Sequence, residues 1–152
     1  MQAIVKAAAG DPHDLRRFVD AQHGIYESAL SEISQGQKSS HWMWFIFPQY
    51  AGLGSSSTSQ RYAIKSVAEA DAYLKHPVLG PRLLECGQAL LRVEGRSAQQ
   101  IFGSPDDMKL HSSATLFAHV SPGGSVFERV LDKYFRGAGD AKTLQLIGQR
   151  TA

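Results

Sequence analysis

Apolar residues recur at three- and four-residue spacing through the first part of the chain: Leu15, Phe18, Val19, Gln22, Ile25, Tyr26, Ala29, Leu30 and Ile33. That spacing lays them on one helical face. Asp11-Pro12-His13-Asp14 precedes the run with a capping Asp, a Pro suited to the first helical position and an acid for the first turn, and Gly36 follows as a stop. The pattern predicts one long amphipathic helix. The next apolar run, Trp42-Met-Trp44-Phe-Ile-Phe47, is apolar at every position until Pro48, Gln49, Gly52 and Gly54 end it. A segment apolar on every side is buried on every side. Its length suits a strand or a helix, but no other segment alternates with period two, so a strand would lack a partner. The run is therefore read as a buried helix, with His41 and Gln49 at its two ends.

Beyond it the chain is punctuated for helices throughout. Ser66-Val-Ala-Glu69, Ser97-Ala-Gln-Gln100 and Ser125-Val-Phe-Glu128 have capping-box spacing. Ser104-Pro105-Asp-Asp107 reads as another start, and Asp140 as the cap of a last helix through Leu144 and Ile147. The expected architecture is all-α: one multihelical domain of six to seven helices over 11–152, around the buried central helix at about 41–47, with residues 1–10 as a short extension.

Composition narrows the function classes. The chain has 152 residues, 43% hydrophobic and 20% charged, the balance of a single folded domain rather than a disordered chain. Its 16 basic and 14 acidic residues are interspersed, with no basic run to engage nucleic acid. Cys86, the single cysteine, excludes an internal disulfide and lies among leucines as a structural thiol. No apolar stretch is long enough for a membrane span or a signal peptide, so a cytoplasmic monomer or homodimer without a membrane partner is expected. The six histidines show no i,i+4 pair, so neither a metal nor another cofactor is expected.

Two polar clusters could carry chemistry. Lys38, Ser40 and His41 precede the aromatic run; such a histidine serves as general acid or base, or binds phosphate. The alternative is a histidine hydrogen-bonded to a capping serine. Trp44 offers a ring wall for a planar ligand, or simply core packing. Gly52-Leu-Gly54 and the serines through Ser59 could wrap a phosphate with backbone N–H groups or act as a lid, although both glycine-rich phosphate fingerprints are incomplete. Arg61 and Tyr62 would add a cation and a hydroxyl. The second cluster holds Asp106, Asp107, Lys109, Ser112 and Ser113. Asp107 is the candidate catalytic carboxylate, against a capping role for both acids. Lys109 shares a helical face with Ser112 or Ser113, but lysine precedes serine, the reverse of the Ser-x-x-Lys hydrolases.

The string Ser40-His41-Trp42-Met-Trp44-Phe-Ile-Phe-Pro48-Gln49, with Gly52-Leu-Gly54, Tyr62-Ala-Ile64, His76-Pro77-x-Leu79-Gly80, Ile101-Phe-Gly103, Asp107-x-Lys109, Ser112-Ser113 and Leu131-Asp-Lys133, resembles the family called domain of unknown function 1810. The resemblance spans about residues 13–147. It departs at Ala114, where the family pattern has Met, a change of core or pocket volume. The family implies a multihelical fold and no established activity. Some members bear a calpastatin label, but nothing in this chain resembles a protease-inhibitor repeat. The order of motifs is also distantly similar to helical NAD- and ADP-ribose-processing families, without a shared string.

Two functional readings follow. The first is binding or hydrolysis of an anionic, nucleotide-like or ADP-ribose-like molecule, with His41 as acid or base and Asp107 assisting at an N-glycosidic bond. The second is a non-enzymatic helical interaction module whose string only builds the core. Convergence of Lys38, His41, Gln49, Lys109 and Ser113 on one cleft favours the first; scatter and an exposed apolar patch favour the second.

Overall fold

The first amphipathic run folds as two helices rather than one. The computed structural model describes residues 10–151, the side chains of 149–151 excepted; the expected extension, Gly10 aside, lies outside the described residues. Helix α1 covers Arg16–Gln22 and α2 covers Tyr26–Gln35. Between them Gly24 takes φ +75°, a left-handed conformation that ends a helix at little cost for glycine. The Asp11 carboxylate does accept from the Leu15 and Arg16 N–H groups at 2.7 and 3.0 Å. The helix nevertheless starts only at Arg16, because Asp14 sits at φ +51° and holds the chain in a turn.

The aromatic run is the second difference. Only Met43–Ile46 is helical, a single turn called α3, and it is not the central helix. Trp42 and Phe47 flank it with non-helical dihedrals, and Pro48 blocks continuation. Trp42, Met43, Ile46 and Phe47 are buried, whereas Trp44 and Phe45 are half-buried and His41 is exposed. The chain then extends, so that Tyr50 pairs with Ile64 in an isolated parallel bridge. Its two hydrogen bonds, Ala51 N–H to Ile64 O and Ile64 N–H to Gln49 O, are both 2.8 Å.

Helices α4 (Ser57–Arg61), α5 (Val67–Lys75), α6 (Leu79–Arg92), α7 (Ala98–Phe102), α8 (Asp106–His119), α9 (Val126–Phe135) and α10 (Ala141–Thr151) complete the fold. The class is all-α, with ten helices among the described residues instead of six to seven. Ser66, Ser97, Ser125 and Asp140 cap the helices that their spacing announces, and Ser97 with Gln100 forms a reciprocal capping box. Ser104 does not cap α8; Pro105 occupies that position without a side-chain hydrogen bond.

The central element is α8, which packs against α5, α7, α9 and α10. Leu110 and every residue from Ser112 to Phe117 are buried, so the helix is surrounded by protein over two turns. Helix α6 shows the ordinary one-sided pattern, burying Leu79, Leu83, Cys86 and Leu90. Burial pushes the Cys86 thiol up to about 12, which keeps it protonated and inert. Gly80 meets the end of α5 so closely that an added Cβ would lie 2.1 Å from the Leu74 carbonyl oxygen. No helix of the described residues is long and apolar enough to cross a membrane.

A buried ion pair ties α1 to α5. Arg17 Nη2 lies 2.7 Å from Glu69 Oε2, with the two side chains 5% and 3% exposed. The same guanidinium donates to the carbonyls of His13, Asp14, Arg61 and Ala63 at 2.7–2.9 Å. The other Glu69 oxygen accepts from the Lys65 N–H at 3.0 Å. The stretch leading from α4 to α5 is thus pinned by the core rather than by its own turns.

Candidate functional site

The segment between α2 and α3 is held by one carboxylate. Glu32 accepts from the Ser39 and Ser40 N–H groups at 2.8 and 3.0 Å, from Ser40 Oγ at 2.6 Å and from Trp42 Nε1 at 2.9 Å. Ser40, expected to bind a ligand, spends its hydroxyl on this internal bond. Glu32 was invisible as a functional residue in the sequence because its partners lie seven to ten residues away in a segment without periodicity. Partial burial pushes its carboxyl up, but the hydrogen bonds from Ser40, Ser39 and Trp42 outweigh burial and hold it at about 2.

A lowered folded pKa means that the contribution is complete above the unfolded value near 4.5 and lost as pH falls through about 2. Glu32→Gln should therefore cost stability at neutral pH, on the order of 1 kcal/mol after solvent screening. The gap from the parent should close between pH 4.5 and 2. Urea melts across that range would refute the clamp if the gap were independent of pH.

The clamped loop delivers Lys38 to the start of α8. Lys38 Nζ donates to the Ser40 carbonyl at 2.5 Å, pairs with Asp106 Oδ2 at 2.9 Å and lies 5.0 Å from the Trp42 ring centroid. Asp106 Oδ1 pairs with Lys109 Nζ at 3.2 Å, and that ammonium stands 4.4 Å above the Trp44 ring. Each tryptophan thus carries a lysine ammonium on its face, and one carboxylate joins the two cations. Asp106, not Asp107, faces the lysines. Asp107 Oδ1 accepts from the Met108 N–H at 2.9 Å.

Three adjoining clefts surround this arrangement. The first, about 490 Å³, lies between the 52–59 loop and α8 and is lined by Trp44, Gln49, Leu53, Gly54, Ser59, Met108, Lys109 and Ser112, with Asp140 and Lys142 at its edge. The second, about 290 Å³, is lined by Lys38, His41, Trp44, Pro105, Asp106 and Lys109. The third, about 330 Å³, includes Gln49, Gly52, Gly54, Ser59 and Lys65. Trp44 and Lys109 face the first two clefts, and Gln49, Gly54 and Ser59 face the first and third. Gln49 is oriented by donating to Ser112 Oγ at 2.7 Å, which itself donates to the Lys109 carbonyl at 3.2 Å. The loop bonds to itself: Ser59 N–H to Ser56 Oγ at 3.1 Å, Ser59 Oγ to Ser56 O at 2.9 Å and Gln60 Nε2 to Ser55 O at 3.0 Å.

Of the residues singled out in the sequence, Lys38, His41, Trp44, Gln49, Gly52, Gly54, Ser59, Lys109 and Ser112 line these clefts. Ser113 is buried in α8 and its Oγ has no hydrogen-bond partner, as is true of Trp44 Nε1 and Tyr50 OH. Arg61 and Tyr62 do not line them. Tyr62 packs its ring on Phe18 and Phe45, and the Arg61 guanidinium lies 5.5 Å from the Tyr62 ring. Asp107 is likewise outside the three linings. Asp106, Met108 and Lys142 are cleft residues that the sequence did not single out as ligand contacts. Asp106 could have been found as the acid three residues before Lys109 on one helix face. Among the described residues no group of three or more His, Cys, Asp or Glu side chains could hold a metal ion.

The conserved hypothetical protein Rv1873 from Mycobacterium tuberculosis, known from a crystal structure, is similar to the chain at 51% identity. The match covers 91% of this chain and 99% of that one, with a TM-score of 0.89. No curated protein shows a significant match. The model of a family of proteins of unknown function, DUF1810, matches residues 12–147, and the chain therefore belongs to that family.

Proposed function

We propose that the protein binds an anionic, nucleotide-like small molecule in the cleft between the 52–59 loop and α8. The observation that carries this reading is the half-buried Trp44 ring with the Lys109 ammonium 4.4 Å above it, in a cleft also lined by Gln49 and Ser112. A ring face takes a planar group and an ammonium takes a phosphate or carboxylate. Lys142 adds a second cation, while the nearby Asp140 carboxylate is engaged in capping α10 through Thr143. Binding is favoured over hydrolysis, because Asp107, the acid assigned to bond cleavage, does not line the cleft. Lys38, His41, Gln49, Lys109 and Ser113 do not meet in one cleft: Lys38 and His41 line the smallest of the three, Gln49 the largest, Lys109 both and Ser113 none, so the reading rests on Lys109 and Trp44. The interaction-module reading has less support, because among the described residues the large exposed apolar side chains, Leu84, Met108 and Leu144, sit on three different helices. The buried thiol and lack of a disulfide suit a reducing cytoplasm.

Adenosine monophosphate should raise the melting temperature and quench the fluorescence of Trp44, the more exposed of the two tryptophans. Lys109→Gln removes a partly exposed ion pair of small structural worth, so it should fold normally and bind at least about tenfold more weakly. No response to any phosphate-bearing nucleotide, or an unchanged affinity in Lys109→Gln, would overturn the assignment.

A further inference from the structure

The clefts flanking Lys109 place different side chains beside it, and those side chains narrow the ligand class. The larger presents Trp44, Leu53 and Met108, an apolar surface with a ring wall. The smaller sets the donors and acceptors of Lys38, His41 and Asp106 among the apolar Trp42, Met43 and Pro105. Trp44, Pro105 and Lys109 are common to both, so a molecule reaching from one to the other crosses at the Lys109 ammonium. Asp106 takes one of the three protons of that ammonium, and the Trp44 face takes no hydrogen bond. The crossing point therefore retains donors for an anion while the groups on either side need not be charged.

We propose that the ligand is a two-part molecule joined by a phosphate bridge, of the nucleoside diphosphate–sugar class. Its planar base lies against Trp44 in the larger cleft, its bridging phosphates meet Lys109, and its sugar hydroxyls meet Asp106 and His41 in the smaller one. This inference rests on the cleft assignment above and adds the second half of the ligand. The volumes agree: about 490 Å³ accommodates the nucleoside side and about 290 Å³ a single sugar ring. The Asp106 carboxylate, already neutralised by Lys38 at 2.9 Å, can accept from a hydroxyl without repelling the phosphates at close range.

The test compares adenosine monophosphate with adenosine diphosphate ribose by calorimetry, on the parent, Lys109→Gln and His41→Ala proteins. The His41 side chain is exposed and is not among the donors to Glu32, so His41→Ala should melt with the parent. The expected result is at least tenfold tighter binding of the diphosphate sugar than of the monophosphate. His41→Ala should weaken only the diphosphate sugar, and Lys109→Gln should weaken both. Equal affinities, with His41→Ala affecting neither ligand or both alike, would overturn the two-part ligand and leave the single-cleft assignment standing. If neither these compounds nor any other phosphate-bearing nucleotide binds the parent protein, both assignments fall together.

Discussion

Glu69→Ala is expected to lower the unfolding free energy by about 3–5 kcal/mol, as breaking one side of a buried ion pair generally does. The cost does not come from the lost attraction alone. The Arg17 side chain, 5% exposed in the intact protein, is left with four carbonyl oxygens around its guanidinium and no counter-charge. The Lys65 N–H loses its acceptor as well. Arg17→Met should be comparably damaging for a different reason, since it strands the carbonyls of His13, Asp14, Arg61 and Ala63. The double substitution Arg17→Met/Glu69→Ala should then cost clearly less than the sum of the single ones. Urea denaturation of the three variants measures this. A loss below about 1 kcal/mol for Glu69→Ala would mean that the guanidinium reaches water or another acid, contrary to the geometry.

Trp42→Ala is expected to cost about 3–5 kcal/mol, the range for deleting a fully buried large aromatic side chain. The ring is 0% exposed and packs edge-on to Phe102 at 6.2 Å. Its removal also takes one donor from Glu32 and the aromatic face from Lys38. Trp42→Phe separates these effects, since it keeps most of the volume and loses the Nε1 bond. It should cost about 1–2 kcal/mol. Equal costs for the two substitutions would show that the hydrogen bond, not the packing, dominates. If the clefts depend on this loop, Trp42→Ala should also abolish the ligand response that Trp42→Phe retains.

The class of the fold was legible because helix caps act locally: a serine and the N–H three residues on need nothing from the rest of the chain. Ser66, Ser97, Ser125 and Asp140 marked their helices for that reason. The character of the aromatic run was not legible. Burial on every side was read from six apolar residues, yet the run is one turn, and Trp44 and Phe45 remain half-buried. Helix α8 is announced by its start signal, but its central place is not, because Ser112, Ser113, Ala114 and Thr115 stand among its buried positions. Small and hydroxylated residues permit close packing on all sides without producing an apolar stripe. Of the residues that line the candidate clefts, the cations and aromatics Lys38, Trp44 and Lys109 were legible, because they stand out by type. Asp106 stands in the second polar cluster but Asp107 is the acid given the chemistry there, and Glu32 is not legible at all, because only tertiary proximity brings it to Ser39, Ser40 and Trp42.

The Tyr50–Ile64 bridge closes the intervening stretch at its base, and Arg17 grips the returning side of that base through the Arg61 and Ala63 carbonyls. The segment is thereby a cassette: anchored twice to the scaffold, and projecting Gly54 and Ser59 into two clefts. Changes at its tip alter what the clefts contact without altering what the core packs against, since closing a somewhat longer loop costs little. Under the proposed binding role, exchanging the cassette alone would change ligand preference on an unchanged scaffold.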